Sequence, residues 1–234
     1  MYTKAFFHYF RATLTIFLMN DMTIRERAAA ISALFAKEYP DVKCGLEAGD
    51  NAYRLLMMAI LSAQCTDRRV NIISVPLFEK YPDIKAISEC SLDELEQIVR
   101  PCGLYKAKAK NMKACCTMLE SNFGGKIPSD MNALLTLPGV GRKIANLIRG
   151  DVFGLGGIVA DTHMIRIANR LGLADNTDPR KVENALTPLI PTDEQSSFCH
   201  RAVHFGREIC SARAPKCDFC FIREAGLCSG AAKQ

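Results

Sequence analysis

Apolar residues recur along this chain at intervals of three and four, and no stretch alternates strictly between apolar and polar positions, so the pattern predicts helices and no strands. The first helix opens at Thr23-Ile24-Arg25-Glu26, which has capping-box spacing, and Pro40 stops it after Tyr39. Asp50 is placed to cap an apolar helix over residues 53–62. A third, over 67–81, contains Pro76 and is expected to bend or break there. Ser91-Leu92-Asp93-Glu94 offers a second capping box, for a helix that ends before Pro101. Residues 105–123 read as a long helix closed by Gly124-Gly125, and Ser129 or Asp130 caps a short one after it. Helices over 143–153 and 162–171, one starting at Asp178-Pro179, and a long last one capped by Thr192 and Gln195 complete an all-α chain.

With 234 residues, 49% of them hydrophobic, the chain can bury one large core or two small ones. Its apolar run at 12–19 is too short to span a bilayer and has no clear cleavage site, so residues 1–21 read as an N-terminal extension and no membrane is expected. Eleven cysteines without a secretory signal predict a reducing compartment, where thiols are buried, reactive or metal-bound. The net charge of +5 is unevenly spread: residues 100–149 carry nine Lys and Arg against Glu120 and Asp130. Such a basic stretch suits a polyanion, although Lys106, Lys108, Lys110 and Lys113 on one helix could also be a solvated face.

The chemistry concentrates in LPGVGRKIANLIRGDVFGLGGIVADTH, residues 137–163. Leu137-Pro138-Gly139-Val140-Gly141 is a turn in which the proline fixes one φ and both glycines permit positive φ and close backbone approach. Arg142 and Lys143 then open a helix, whose N-terminal amides suit a phosphate. Lys143 lies in the first turn of that helix, where a cation is electrostatically disfavoured. It could equally be a plain phosphate contact, and Asp161 could simply cap the helix beginning at Thr162. Near the end of the chain, Cys210, Cys217, Cys220 and Cys228 form C-x6-C-x2-C-x7-C, four thiols within 19 residues, and predict a metal centre. Spacing alone admits tetrahedral zinc or a [4Fe–4S] cluster.

Turn, lysine, aspartate and cysteines together resemble the endonuclease III family of helix-hairpin-helix DNA glycosylases, over about residues 22–229. The resemblance implies a two-lobed all-α architecture: a six-helix domain at 45–155, and a cluster domain made of 22–44 and 156–234 with a C-terminal cysteine loop. It implies Lys143 as nucleophile, Asp161 as its acidic partner, and a [4Fe–4S] cluster, although the family's last cysteine interval is five residues where this chain has seven. In Leu61-Ser62-Ala63-Gln64-Cys65-Thr66-Asp67, Gln64 matches the residue that fills the gap left by a flipped nucleotide, and Leu104 of Gly103-Leu104-Tyr105-Lys106 matches the leucine wedge. Leu137, Gly139, Gly141, Arg142, Lys106, Lys108 and Lys110 are expected to contact DNA.

The implied function is a bifunctional DNA glycosylase/AP lyase of base excision repair. It would act as a monomer on duplex DNA with oxidised pyrimidines or abasic sites, in the cytoplasm of a bacterium or archaeon beside the nucleoid. Mismatch adenine glycosylases of the same superfamily generally lack the hairpin lysine, so a monofunctional enzyme fits less well. A non-catalytic metal-containing DNA-binding module is the alternative from another class, and it would need neither Lys143 nor Asp161.

Overall fold

The computed structural model describes residues 22–228. The expected N-terminal extension at 1–21 lies outside the described residues. Among the described residues the chain is helical and has no strand, as the pattern predicts. It forms two compact units, one spanning Cys44–Gly157 and the other built from the chain on either side, up to Lys43 and from Ile158.

The second unit opens with α1 (Ile24–Glu38). The helices of the Cys44–Gly157 unit are α2 (Ala52–Leu61), α3 (Asp67–Lys80), α4 (Ile84–Glu89), α5 (Leu92–Val99), α6 (Tyr105–Phe123), α7 (Met131–Thr136) and α8 (Arg142–Phe153), with a 3-10 turn at Arg100–Cys102. Apart from Arg54 near its start, helix α2 is apolar, and its residues from Leu55 to Leu61 are all buried. It packs against α3, α6 and α8, and so fixes the helix that carries Lys143 from behind. The remaining helices of the other unit are α9 (Thr162–Arg170), α10 (Pro179–Leu186), α11 (Gln195–Glu208) and α12 (Phe221–Glu224). There Phe35 of α1 is wholly buried, its ring 5.5 Å from Phe198, 5.3 Å from Phe205 and 6.3 Å from Phe221.

Several local expectations are corrected. Thr23 does form a capping box with Glu26, but Ser91 makes no side-chain cap, and the Glu94 side chain pairs with Lys80 at 3.0 Å. Asn51, not Asp50, caps α2. Helix α3 continues through Pro76: the carbonyl it leaves without a donor belongs to Ile72, and both residues face solvent, where water can take that bond. Glu194 stands at the N-cap of α11, while the Gln195 amide turns inward to donate to the carbonyls of Ile190 at 3.0 Å and Thr187 at 3.2 Å. Helix α4, capped by Asp83, makes seven α-helices in the central unit where six were expected; six residues are too few for a clear periodic signal. No helix among the described residues is long and apolar enough to cross a membrane.

Candidate functional site

The turn between α7 and α8 is built as the residue types demand. The Val140 amide donates to the Leu137 carbonyl at 3.0 Å, and Gly139 has φ 80°, which with Pro138 before it makes a type II turn. Leu137 and Val140 are 2% and 6% exposed and hold the turn to the core. Leu137 was expected to contact DNA; its side chain is buried, which leaves only its backbone for such a contact. A Cβ on Gly139 would lie 2.9 Å from Cβ of Asn111 on α6, so this glycine is required twice over, by its φ and by the close approach.

Gly141 differs. It is the N-cap of α8 with φ −90°, so only one of the two glycines uses the left-handed region, and a Cβ there would meet nothing within 4 Å. The fold does not need a glycine at 141. No side chain caps α8, so its first-turn amides point at the same open surface, where the helix dipole favours an anion. Arg142 is half-buried at the first position of α8, and Lys143 is exposed at the second.

Basic side chains continue from this turn onto α6. Lys110 and Lys113 line a groove together with Pro138, and Lys106 and Lys110 are exposed. Lys108 is not part of that face. It is 4% exposed, on the inner side of α6 beside Ala109 and Met112, and its ammonium donates to the Cys102 carbonyl at 2.6 Å. Four lysines over eight residues cannot all share one face of a helix, so one of the three expected phosphate contacts is a structural tie.

Gln64 and Leu104 are the two non-glycine residues with positive φ among the described residues, at 52° and 46°. Such a conformation costs on the order of 1–3 kcal/mol for a residue with a Cβ. Both side chains are exposed, Leu104 by 61%. The two loops are tied together, since Arg69 in the first turn of α3 donates to the Pro101 carbonyl at 3.3 Å. Packing in the core explains neither residue.

In the other unit, Asp161 is the N-cap of α9, its Oδ1 accepting from the Met164 amide at 2.8 Å. The cap uses one carboxylate oxygen. The far end of α9 holds the cysteine loop. Arg166 donates from Nε to the Cys210 carbonyl at 3.2 Å and from Nη2 to the Gly206 carbonyl at 2.9 Å. Arg170 donates to the carbonyls of Ser211 at 2.7 Å and Ala212 at 3.0 Å and reaches Sγ of Cys210 at 3.3 Å. Burial pushes the Arg166 guanidinium down from its usual range, and the Arg170 charge adds to this. Sequence reading missed both arginines; their i, i+4 spacing downstream of Asp161 was the available signal.

Cys210, Cys217, Cys220 and Cys228 line one pocket with Arg170 and Arg223. The seven-residue interval before Cys228 is taken up by α12 and the turn at Gly226, so the longer loop does not separate the fourth cysteine from the others. Burial raises the Cys220 thiol, and the neighbouring Cys228 and Cys210 sulfurs raise it further. Four soft sulfur donors around one pocket, one of them accepting from an arginine, fit a thiolate-held metal centre.

Residues 57–192 match the family model of the HhH-GPD superfamily base excision DNA repair proteins, which defines the class. Endonuclease III of Synechocystis sp. is 40% identical over 208 residues, covering 88% of this chain and 94% of that protein. Endonuclease III of Bacillus subtilis is 38% identical over 183 residues, covering 78% and 83%. A solved endonuclease III–DNA covalent intermediate is similar with a TM-score of 0.82 at 39% identity, over 89% of this chain and 97% of that one. A thermostable thymine-DNA glycosylase, at 23% identity and a TM-score of 0.78, shares the fold. The chain belongs to the endonuclease III family, whose members imply a metal cofactor.

The two hairpin glycines give a direct contrast. Gly139→Ala should lower the unfolding free energy by about 1–3 kcal/mol, through its φ and the contact with Asn111. Gly141→Ala should stay within about 0.5 kcal/mol of the parent. Both should weaken duplex binding, and urea titration beside fluorescence anisotropy reads the two effects separately.

Proposed function

We propose that this protein is a bifunctional DNA glycosylase/AP lyase of base excision repair that removes oxidised pyrimidines from duplex DNA. The observation that carries the catalytic reading is an exposed lysine in the uncapped first turn of α8, directly after an open, phosphate-suited turn, in a chain of the endonuclease III family.

The hairpin amides and Gly141 grip a phosphate, and Arg142, Lys106 and Lys110 neutralise others. Bending the duplex exposes the lesion. Leu104 wedges into the stack and Gln64 fills the gap left by the flipped nucleotide, and their strained backbones hold both side chains out of the core before DNA arrives. This prepayment lowers the ordering cost of binding. Unstacking costs a few kcal/mol, and these two residues supply the compensating contacts.

The neutral Lys143 amine attacks the sugar C1′, forming a C–N bond as the C1′–base bond breaks and the base leaves with its electron pair. The ring opens and the adduct becomes a Schiff base. Loss of a proton from C2′ then expels the 3′ phosphate by β-elimination, and water hydrolyses the remaining imine to free the enzyme. Asp161 accepts the lysine's proton and supports the positive charge that develops on the sugar. Its capping bond to Met164 fixes the carboxylate for that role.

Cys210, Cys217, Cys220 and Cys228 hold a [4Fe–4S] cluster, which when bound fixes the loop bearing Arg213, Lys216 and Arg223. Those cations add to the phosphate contacts. Arg166 and Arg170 position that loop from α9.

Two predictions follow from these assignments. Lys143→Gln should abolish excision from a duplex carrying one oxidised pyrimidine while leaving binding nearly intact, and Asp161→Asn should slow excision about 10²-fold or more, in single-turnover assays. Normal excision by Asp161→Asn would return that residue to a helix cap alone. Purified anaerobically, the protein should be yellow-brown with roughly four irons per chain; stoichiometric zinc without visible absorption would overturn the iron–sulfur assignment.

A further inference from the structure

Leu104 breaks two local rules at once. Its φ of 46° lies in the left-handed region, and it occupies the N-cap of α6, where its side chain can accept nothing from the first-turn amides. Such a conformation persists only where the surroundings over-determine it. Two cations supply that constraint. Arg69, in the first turn of α3, donates from Nη1 to the Pro101 carbonyl at 3.3 Å. Lys108 of α6 donates from Nζ to the Cys102 carbonyl at 2.6 Å and from its amide to the Leu104 carbonyl at 3.1 Å. The carbonyls of Pro101, Cys102 and Leu104 are therefore all held, and Gly103 between them, with φ 64°, supplies the bend.

Lys108 is costly where it lies. It is 4% exposed in the core that holds Cys102, Ala109 and Met112, and burying an ammonium forfeits water that one carbonyl only partly replaces. The N-terminal end of α6 also disfavours a cation. An apolar side chain of similar length would fill the space without either cost. What the ammonium adds is a charge-assisted hydrogen bond, the strong kind, two residues before Leu104. Arg69 is anchored in turn: its amide donates to the Thr66 carbonyl at 3.0 Å and the Thr66 hydroxyl at 3.3 Å, so its guanidinium reaches the wedge loop from the helix start that follows Gln64.

We propose that Arg69 and Lys108 are positioning residues that hold residues 101–104 in the conformation that projects Leu104, and thereby set the affinity for a lesion-bearing duplex. The inference rests on the reading that Leu104 enters the duplex. Both cations act through backbone carbonyls of the loop. Without them Leu104 relaxes toward negative φ, its side chain is no longer presented, and the cost of ordering it falls on the binding step. Binding to an intact duplex rests on phosphate contacts and needs no wedge.

The test compares the metal-loaded parent with Lys108→Met, Arg69→Met and Leu104→Ala. Hydrogen exchange at the amides of residues 103–108 should quicken in Lys108→Met, and less so in Arg69→Met, with α2 unchanged. Affinity for a duplex carrying one tetrahydrofuran abasic analogue, read by anisotropy, should fall about tenfold in Lys108→Met and about threefold in Arg69→Met, while affinity for the intact duplex stays parental. Adding Lys108→Met to Leu104→Ala should cost nothing further, because the cation acts through that side chain. Equal losses on intact and abasic duplexes would overturn the proposal, and so would additive losses in the double variant. If Lys108→Met does not fold, the exposed Arg69→Met carries the same comparison. Parental abasic affinity in Leu104→Ala would overturn the wedge reading and this proposal with it, whereas weakened Leu104→Ala beside parental Lys108→Met and Arg69→Met would overturn the positioning roles alone.

Discussion

The turn at Leu137–Val140 is the constraint on which the proposed site depends. Two buried side chains pin its ends, and one backbone hydrogen bond closes it. Gly139, where a side chain would be strained by its φ and by the close approach, brings it against Asn111. Together these contacts aim the first turn of α8 outward and leave Gly141 and Lys143 at the surface. Any loosening of the turn would tilt the amides and the amine together. Helix α2, buried from Leu55 to Leu61, backs α8 and limits that freedom from behind.

The other unit solves a comparable problem with a single helix. Asp161 begins α9, and Arg166 and Arg170 near its far end seize four backbone carbonyls of the cysteine loop and its approach, at Gly206, Cys210, Ser211 and Ala212. The carboxylate and the loop are therefore positioned by the same nine residues. A half-buried arginine that satisfies several carbonyls replaces the secondary structure that this irregular segment lacks. A metal centre held by these thiols would have a loop already organised to receive it.

Much of this was legible in the residues themselves. Pro138-Gly139 dictates a type II turn, Thr23 with Glu26 dictates a capping box, and the cysteine spacing announces a shared site. What stayed hidden was which of two plausible partners a side chain would take. Ser91 and Glu94 have capping-box spacing, yet Lys80 reaches Glu94 first, from a helix distant in sequence. Lys108 reads as one more surface cation, but α6 turns it inward to meet the 3-10 turn at Cys102. Leu137 carries the family's motif and serves the core. The positive φ values of Gln64 and Leu104 could not be read from residue types that normally avoid that region, and they are the features that packing leaves unexplained.

The central claim is that Lys143 is the residue that bonds to the sugar. Borohydride reduction of the protein on a duplex with a single abasic site, followed by proteolysis and mass spectrometry of the DNA-linked peptide, tests it most directly. The account predicts a single adduct on Lys143. An adduct on Lys106, Lys110 or any other amine, with the peptide bearing Lys143 unmodified, would contradict it.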